Sequence, residues 1–222
     1  MTFDQYVAYL GTPENLKREA NAGAARIDRS AFFREAFERS RLSDCQAAAL
    51  QWLVAQPNAP AKMLAISEEW SSDCRRDVPT FARMAQVGGM ELRIFNHDGQ
   101  KFSTLNVPSL SEAPDSNADL MAQFLNTKNG KTFQSIPVCA FFTRDMEYLY
   151  HFTEYPAIYD KDRVVMQHIR APRPDELPEA TRARADREFA ALIDSPFWGI
   201  WTSAAIDEML SALHRKAVLG TV

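Results

Sequence analysis

The sequence predicts an α/β fold, a mixed central sheet flanked by helices, with helical arms at both ends. Three features carry this expectation. Apolar strand-like runs alternate with helical stretches between residues 62 and 153, the last two runs are joined only by a short polar turn, and helical spacing governs both ends of the chain. The divisions that follow are a helical N-terminal extension over 1–57, a core over 58–160, and a helical C-terminal extension over 161–222 that packs on the core.

Residues 3 to 54 read as helices. Phe32, Phe33, Ala36 and Phe37 fall at helical spacing, and the run from Ala47 to Leu53 continues the pattern. Ser43 followed by Gln46 has the form of a capping box. Gln56-Pro57-Asn58-Ala59-Pro60 then breaks the pattern and delivers the chain to a strand near 62–67, centred on Met63-Leu64-Ala65-Ile66. A helix near 73–86 follows, ended by Gly88-Gly89 in the manner of a C-cap, then a strand near 90–95 and a helix near 117–125. The segment from Asn106 to Asn117 carries Pro108 and Pro114 among acidic and serine residues, and reads as an exposed loop bordering the active face. Strands near 136–143 and 147–153, joined by Thr143-Arg144-Asp145, finish the sheet with an antiparallel hairpin. Beyond residue 160, Ala171-Pro172-Arg173-Pro174 forbids a continuous helix. A charged helix near 175–193 and a final one near 203–216 are expected. They flank Phe197-Trp198-Gly199-Ile200-Trp201, an aromatic group read as a packing plug, with a partner-binding patch as the alternative.

Composition narrows the function classes. With 46% hydrophobic and 24% charged residues over 222 positions, the chain has an ordinary globular balance and room for a sizeable core. A formal net charge of −4 argues against a partner such as nucleic acid, which is bound by neutralising phosphates. Arg182, Arg184 and Arg187 alternate with Glu179, Asp186 and Glu188, which reads as a solvated helix face. The N-terminal Met1-Thr2-Phe3-Asp4 lacks a secretory pattern, and no stretch approaches the ~18 apolar residues of a membrane span, so no membrane partner and a cytoplasmic location are expected. Cys45, Cys74 and Cys139 are odd in number and too far apart for a zinc knuckle, which fits a reducing compartment. His97, His151, His168 and His214 show no metal-binding spacing, and neither metal nor cofactor is expected.

The chemistry concentrates at Trp70-Ser71-Ser72-Asp73-Cys74, which follows the first strand and opens a helix, with Val78-Pro79 shortly after and Gly130 to Pro137 far downstream. A proline at 79 removes the amide that would bond the carbonyl of Arg75. On these residues the chain resembles a bacterial branch of thioredoxin-like proteins. In that branch the motif reads Glu-x-Trp-Cys-Gly-Asp-Cys before Val-Pro, with Ser-Ile-Pro before an aromatic strand. The similarity covers roughly residues 60 to 160. It implies a thioredoxin fold, a cis bond before Pro137, and a substrate groove formed by Trp70, Ser72, Asp73, Ile136 and Pro137, in which the backbone of Ile136 pairs with an extended peptide or a glutathione-like thiol.

The chain departs from that branch at Ser71 and Ser72. A hydroxyl has a pKa closer to that of water, ~15.7, and a helix terminus contributes at most ~2 kcal/mol, so Ser71 cannot supply the attacking anion. Ala65 stands where a buried carboxylate assists related proteins. Cys74, in the first helical turn, is expected to be partly buried, and either an inert core residue or a slow monothiol; Cys139 reads as core, with a Cys74–Cys139 disulfide left open. Ser71 and Cys74 are therefore the candidate catalytic positions of a protein impaired in dithiol-disulfide exchange that binds a protein or small-molecule thiol or disulfide. Two alternatives stay open: a glutathione-binding, transferase-like protein in which Ser71 donates to a thiolate, and a non-catalytic interaction protein, including a homodimer. A laboratory Cys→Ser change is a further origin of Ser71, against which the second departure at Ser72 favours natural divergence.

Overall fold

The computed structural model describes residues 1–20, 25–159 and 163–220. Its centre is a four-stranded mixed sheet flanked by helices. The inner strand β1 (Lys62–Ser67) runs parallel to β2 (Glu91–Asn96), with Ala65 opposite Ile94, and antiparallel to β5 (Val138–Phe142), with Ala65 opposite Cys139. The strand β6 (Tyr148–Thr153) pairs antiparallel with β5, giving the spatial order β2-β1-β5-β6. Parallel neighbours require a crossover, and α5 (Ser72–Gly88) supplies it. A left-handed Gly89 (φ 64°) ends α5, donating its N–H to the carbonyls of Ala85 and Gln86; a side chain in that conformation would be strained.

The N-terminal part contains α1 (Phe3–Leu10), α2 (Pro13–Leu16), α3 (Ser30–Arg39) and α4 (Asp44–Val54). At the start of α4, Ser43 Oγ accepts from the Gln46 N–H and Gln46 Oε1 accepts from the Ser43 N–H, so the capping box forms as read from sequence. Both α3 and α4 pack on α5, and α1 packs on α3 and β2. Tyr6, Leu10, Phe33 and Leu50 thereby enter the same buried core as Ile66 and Phe141 of the sheet and Phe81 of α5.

Several elements differ from their sequence outline. The helix α6 is only Ala118–Met121. After it, β3 (Asn126–Lys128) and β4 (Lys131–Phe133) form a separate hairpin whose turn places Asn129 (φ 51°) and Gly130 (φ 73°) in left-handed conformations. Asn-Gly is the residue pair such a turn favours. The helical pattern that resumes after residue 160 takes the form of a π-helix over Arg163–Ile169, and Val165 and Ile169 from it pack with Ala185 in a small second core.

In α7 (Pro178–Ile193) the expected solvated face is only partly solvated. Arg184 is buried, donating to Glu176 and to the carbonyls of Ile169 and Ala171, so it ties the π-helix segment to α7. The last helix, α8 (Pro196–Ala217), starts seven residues before the expected position because Pro196 fits the first helical turn, where no amide is needed. The aromatic group thus lies on α8 with its residues split between faces: Trp198 and Trp201 are buried and Phe197 and Ile200 are exposed. No helix among the described residues is long and apolar enough to cross a membrane.

Candidate functional site at the start of α5

The end of β1 leads through Glu68-Glu69-Trp70 into α5, and Ser71 is the N-cap. Its Oγ accepts from the Cys74 N–H at 3.4 Å, using the hydroxyl to satisfy one of the amides a helix start leaves unpaired. Cys74 is fully buried rather than partly buried. Its sulfur accepts from the Glu68 N–H at 3.5 Å, and the Ser67 and Ser71 hydroxyls also favour its anion. Burial outweighs all three and, with a smaller contribution from the Asp73 charge, the thiol is pushed up to about 12. At neutral pH only on the order of one such thiol in 10⁵ is ionised. Cys139 is also fully buried, its thiol raised by burial and by the charge of Asp77, and all three cysteines are free. The thiolate needed for a catalytic Cys74 is thus disfavoured, because a reactive cysteine needs exposure and a positive surrounding.

Asp73 lies in the first turn of α5. It accepts from Arg76 Nη1 at 3.1 Å, and Arg76 also donates to Asp77 and to the Glu154 carbonyl while its guanidinium stacks 4.8 Å from the Trp198 ring centre. Pro79, one turn on, is buried inside α5.

Beneath the motif lies a buried charge network that sequence reasoning missed. Glu68 accepts from Arg18 at 2.9 Å and from Arg26 at 2.6 Å, and Arg26 also donates to Glu69 at 2.7 Å and to Asp98 at 3.0 Å. All five side chains are essentially inaccessible. Asp98 accepts as well from the Trp70 indole N–H at 3.0 Å and pairs with His97. Three carboxylates face two guanidiniums, so the set holds an excess negative charge unless a proton is taken up. Glu68 carries that stress: burial first, and then the Asp98 charge, push its carboxyl up to about 7. The network fixes Glu68-Glu69-Trp70, and so the direction in which the chain enters α5. The adjacent acidic pair was the visible signal, but its partners lie 42 to 50 residues upstream and 28 to 30 downstream, a separation no local pattern encodes.

A cleft of about 800 Å³ opens beside this turn. Trp70, Ser71, Ser72 and Asp73 line it together with Ile136, so five sequence-predicted site residues, Ser71 among them, share one space, with Cys74 absent from the lining. The Ile136–Pro137 peptide bond is cis. Asn106, at the start of the loop expected to border the active face, does line the cleft, as do Leu105 just before it, Phe133 of the unforeseen hairpin and Met166 of the π-helix. Leu105, Phe133 and Met166 are exposed and give it an apolar rim. Pro137, read from sequence as part of the groove, is buried and does not line the cleft; its carbonyl accepts from the Glu154 N–H as the chain enters β5. Among the described residues no group of three histidine, cysteine or acidic side chains has the arrangement to hold a metal ion.

No protein-family model and no curated protein matches the chain. Two solved structures resemble it. One is a protein of unknown function from Pseudomonas aeruginosa, 16% identical, covering 84% of this chain and 82% of that one, with a TM-score of 0.46. The other is an HIV epitope-scaffold, 17% identical, covering 83% and 81%, also with a TM-score of 0.46.

Ile136, one of the residues lining the cleft, leaves its backbone unpaired. Neither its N–H nor its C=O has a hydrogen-bond partner among the described residues, although the residue itself is nearly buried. Leaving such groups unpaired away from water costs roughly 1–3 kcal/mol each, and most buried backbone groups are paired.

Proposed function

We propose that the chain is a thioredoxin-fold protein whose cleft beside Ser71 binds an extended peptide or a thiol compound without running dithiol-disulfide exchange. The observation that carries this reading is the unpaired backbone of Ile136, a residue that lines the cleft together with Ser71. An extended chain laid there supplies one acceptor and one donor, as in recognition by strand addition. The apolar rim of Leu105, Phe133 and Met166 offers side-chain contacts beside it. The strand order, with β1 parallel to β2 and antiparallel to β5, matches what the thioredoxin resemblance implies.

Binding is favoured over a monothiol role because the Cys74 thiol, pushed to about 12, supplies almost no nucleophile at neutral pH. Ser71, as N-cap, keeps the helix start in the geometry an attacking cysteine would need.

Insulin reduction in the presence of dithiothreitol tests the reading. The wild-type chain is expected to leave the dithiothreitol rate unchanged, and Ser71→Cys to accelerate it, with Cys74 resolving the mixed disulfide. A Ser71→Cys chain that folds normally by circular dichroism but stays inert refutes a thioredoxin-type cleft. A wild-type chain that accelerates reduction refutes the loss of exchange.

A further inference from the structure

A second cavity, of about 780 Å³, lies between α3, α5 and α8 and shares only Ser72 and Arg75 with the cleft. Its lining contains Arg29, Arg39, Arg41, Arg75 and Arg76 against a single acidic residue, Asp194. The whole chain has 29 acidic and 25 basic residues, so this positive charge is a local concentration running against the overall balance.

Two of these arginines are accounted for. Arg76 is held by Asp73 and Asp77, and Arg39 faces Glu35 at 3.8 Å in a solvent-exposed pair. The other three have no carboxylate within ion-pair distance among the described residues, although the charges of Asp73 and Glu69 partly offset that of Arg75, and Arg41 is exposed. Arg41 donates only to the carbonyls of Glu38 and Ser40. Arg29 and Arg75, both half-buried, have no hydrogen bond or ion pair to their side chains among the described residues, and the positive charge of Arg29 adds to burial in lowering the Arg75 pKa. Like charges gathered in a partly desolvated space and not paired at contact distance are costly. An anion between them removes that cost.

Arginine forks match phosphate and carboxylate oxygens. Three guanidiniums not paired at contact distance exceed what one carboxylate can balance, whereas a phosphate monoester brings up to two charges and three acceptor oxygens. The hydroxyls of Ser72, Ser195 and Thr202 also line the space, and Phe32, Trp198 and Ile206 add apolar wall. A volume of this size is typical of small-molecule sites, which span about 300–1,000 Å³. From these observations we infer that the cavity binds a small phosphate monoester with an apolar or ring-shaped body, its phosphate held by Arg29, Arg41 and Arg75. This site is separate from the peptide or thiol cleft and does not depend on that reading.

Isothermal titration of the full chain with phenyl phosphate, inorganic phosphate and benzoate tests it. Phenyl phosphate is expected to bind saturably and at least tenfold more tightly than either of the others, and to weaken as sodium chloride is raised. Arg29→Gln and Arg41→Gln are each expected to reduce its affinity at least tenfold. Neither lines the cleft, so their effect separates the two sites. Gly199→Leu places a side chain on the cavity wall where an added Cβ meets nothing within 4 Å, and is expected to abolish binding while thermal unfolding stays at or above the wild-type temperature. The inference is overturned if phenyl phosphate shows no saturable binding at millimolar concentration, if benzoate binds as tightly, or if all three variants bind phenyl phosphate like the wild type.

Discussion

Replacing Arg26 with methionine removes the central cation from beneath the Ser71 turn while keeping a long apolar stem. Arg26 is fully buried and makes contacts with three carboxylates, Glu68, Glu69 and Asp98, and with the carbonyls of Arg18 and Glu19. After the substitution three buried carboxylates face one guanidinium, that of Arg18. Breaking a buried ion pair by removing one partner costs about 3–5 kcal/mol, because the surviving charge is left uncompensated. Against a typical total stability of about 5–15 kcal/mol this is a large fraction. For a chain of this length it corresponds to a fall in Tm of roughly 6–20 °C. Urea unfolding followed by circular dichroism at pH 7 measures it, and a loss below about 1 kcal/mol refutes the view that this network holds the site. A second variant isolates the charge: Arg26→Met combined with Glu69→Gln is expected to lose less than Arg26→Met alone. If the double variant is the weaker of the two, lost packing rather than stranded charge explains the effect.

The raised carboxyl of Glu68 makes stability depend on pH. The folded chain holds this proton more tightly than the unfolded chain, so the contribution is complete below about pH 4.5 and is lost, by on the order of 3 kcal/mol, as pH rises through about 7. Urea midpoints at pH 5.5 and pH 8 are expected to differ less in Glu68→Gln than in the wild type, and an unchanged difference refutes the assignment. Iodoacetamide followed by mass spectrometry is expected to label the exposed Cys45 in the native chain and all three cysteines in urea; rapid native labelling of Cys74 contradicts its burial. Ser71→Ala is expected to cost about 1 kcal/mol through loss of the cap, with Ser71→Asp retaining most of it. Equal unfolding midpoints for wild type and Ser71→Ala show that the cap contributes nothing.

Much of the layout was legible in the sequence because it depends on neighbours along the chain. The strand at Lys62–Ser67, the capping box at Ser43 and the left-handed stop at Gly89 each follow from a few adjacent residues whose backbone preferences and spacing act locally. The Asn129-Gly130 turn was equally local and was passed over, since its flanking strands of three residues are too short to show alternation. The early start of α8 was missed for a different reason: the aromatic group was read as a break, although Pro196 fits a first helical turn.

The sequence by itself determined an α/β chain with a helix opening just after its first strand, and it pointed to Trp70 to Cys74 as the candidate site. Tertiary structure alone decided what that site can do. Burial at the helix–sheet contact pushes the Cys74 thiol up to about 12, and chain folding brings Ile136 to the cleft wall beside Ser71. Chain folding also brings Arg18, Arg26 and Asp98 onto Glu68 and gathers Arg29 and Arg75 on the wall of one cavity. These are long-range effects. Desolvation and Coulomb energy depend on distances through space, whereas residue patterns record only distances along the chain.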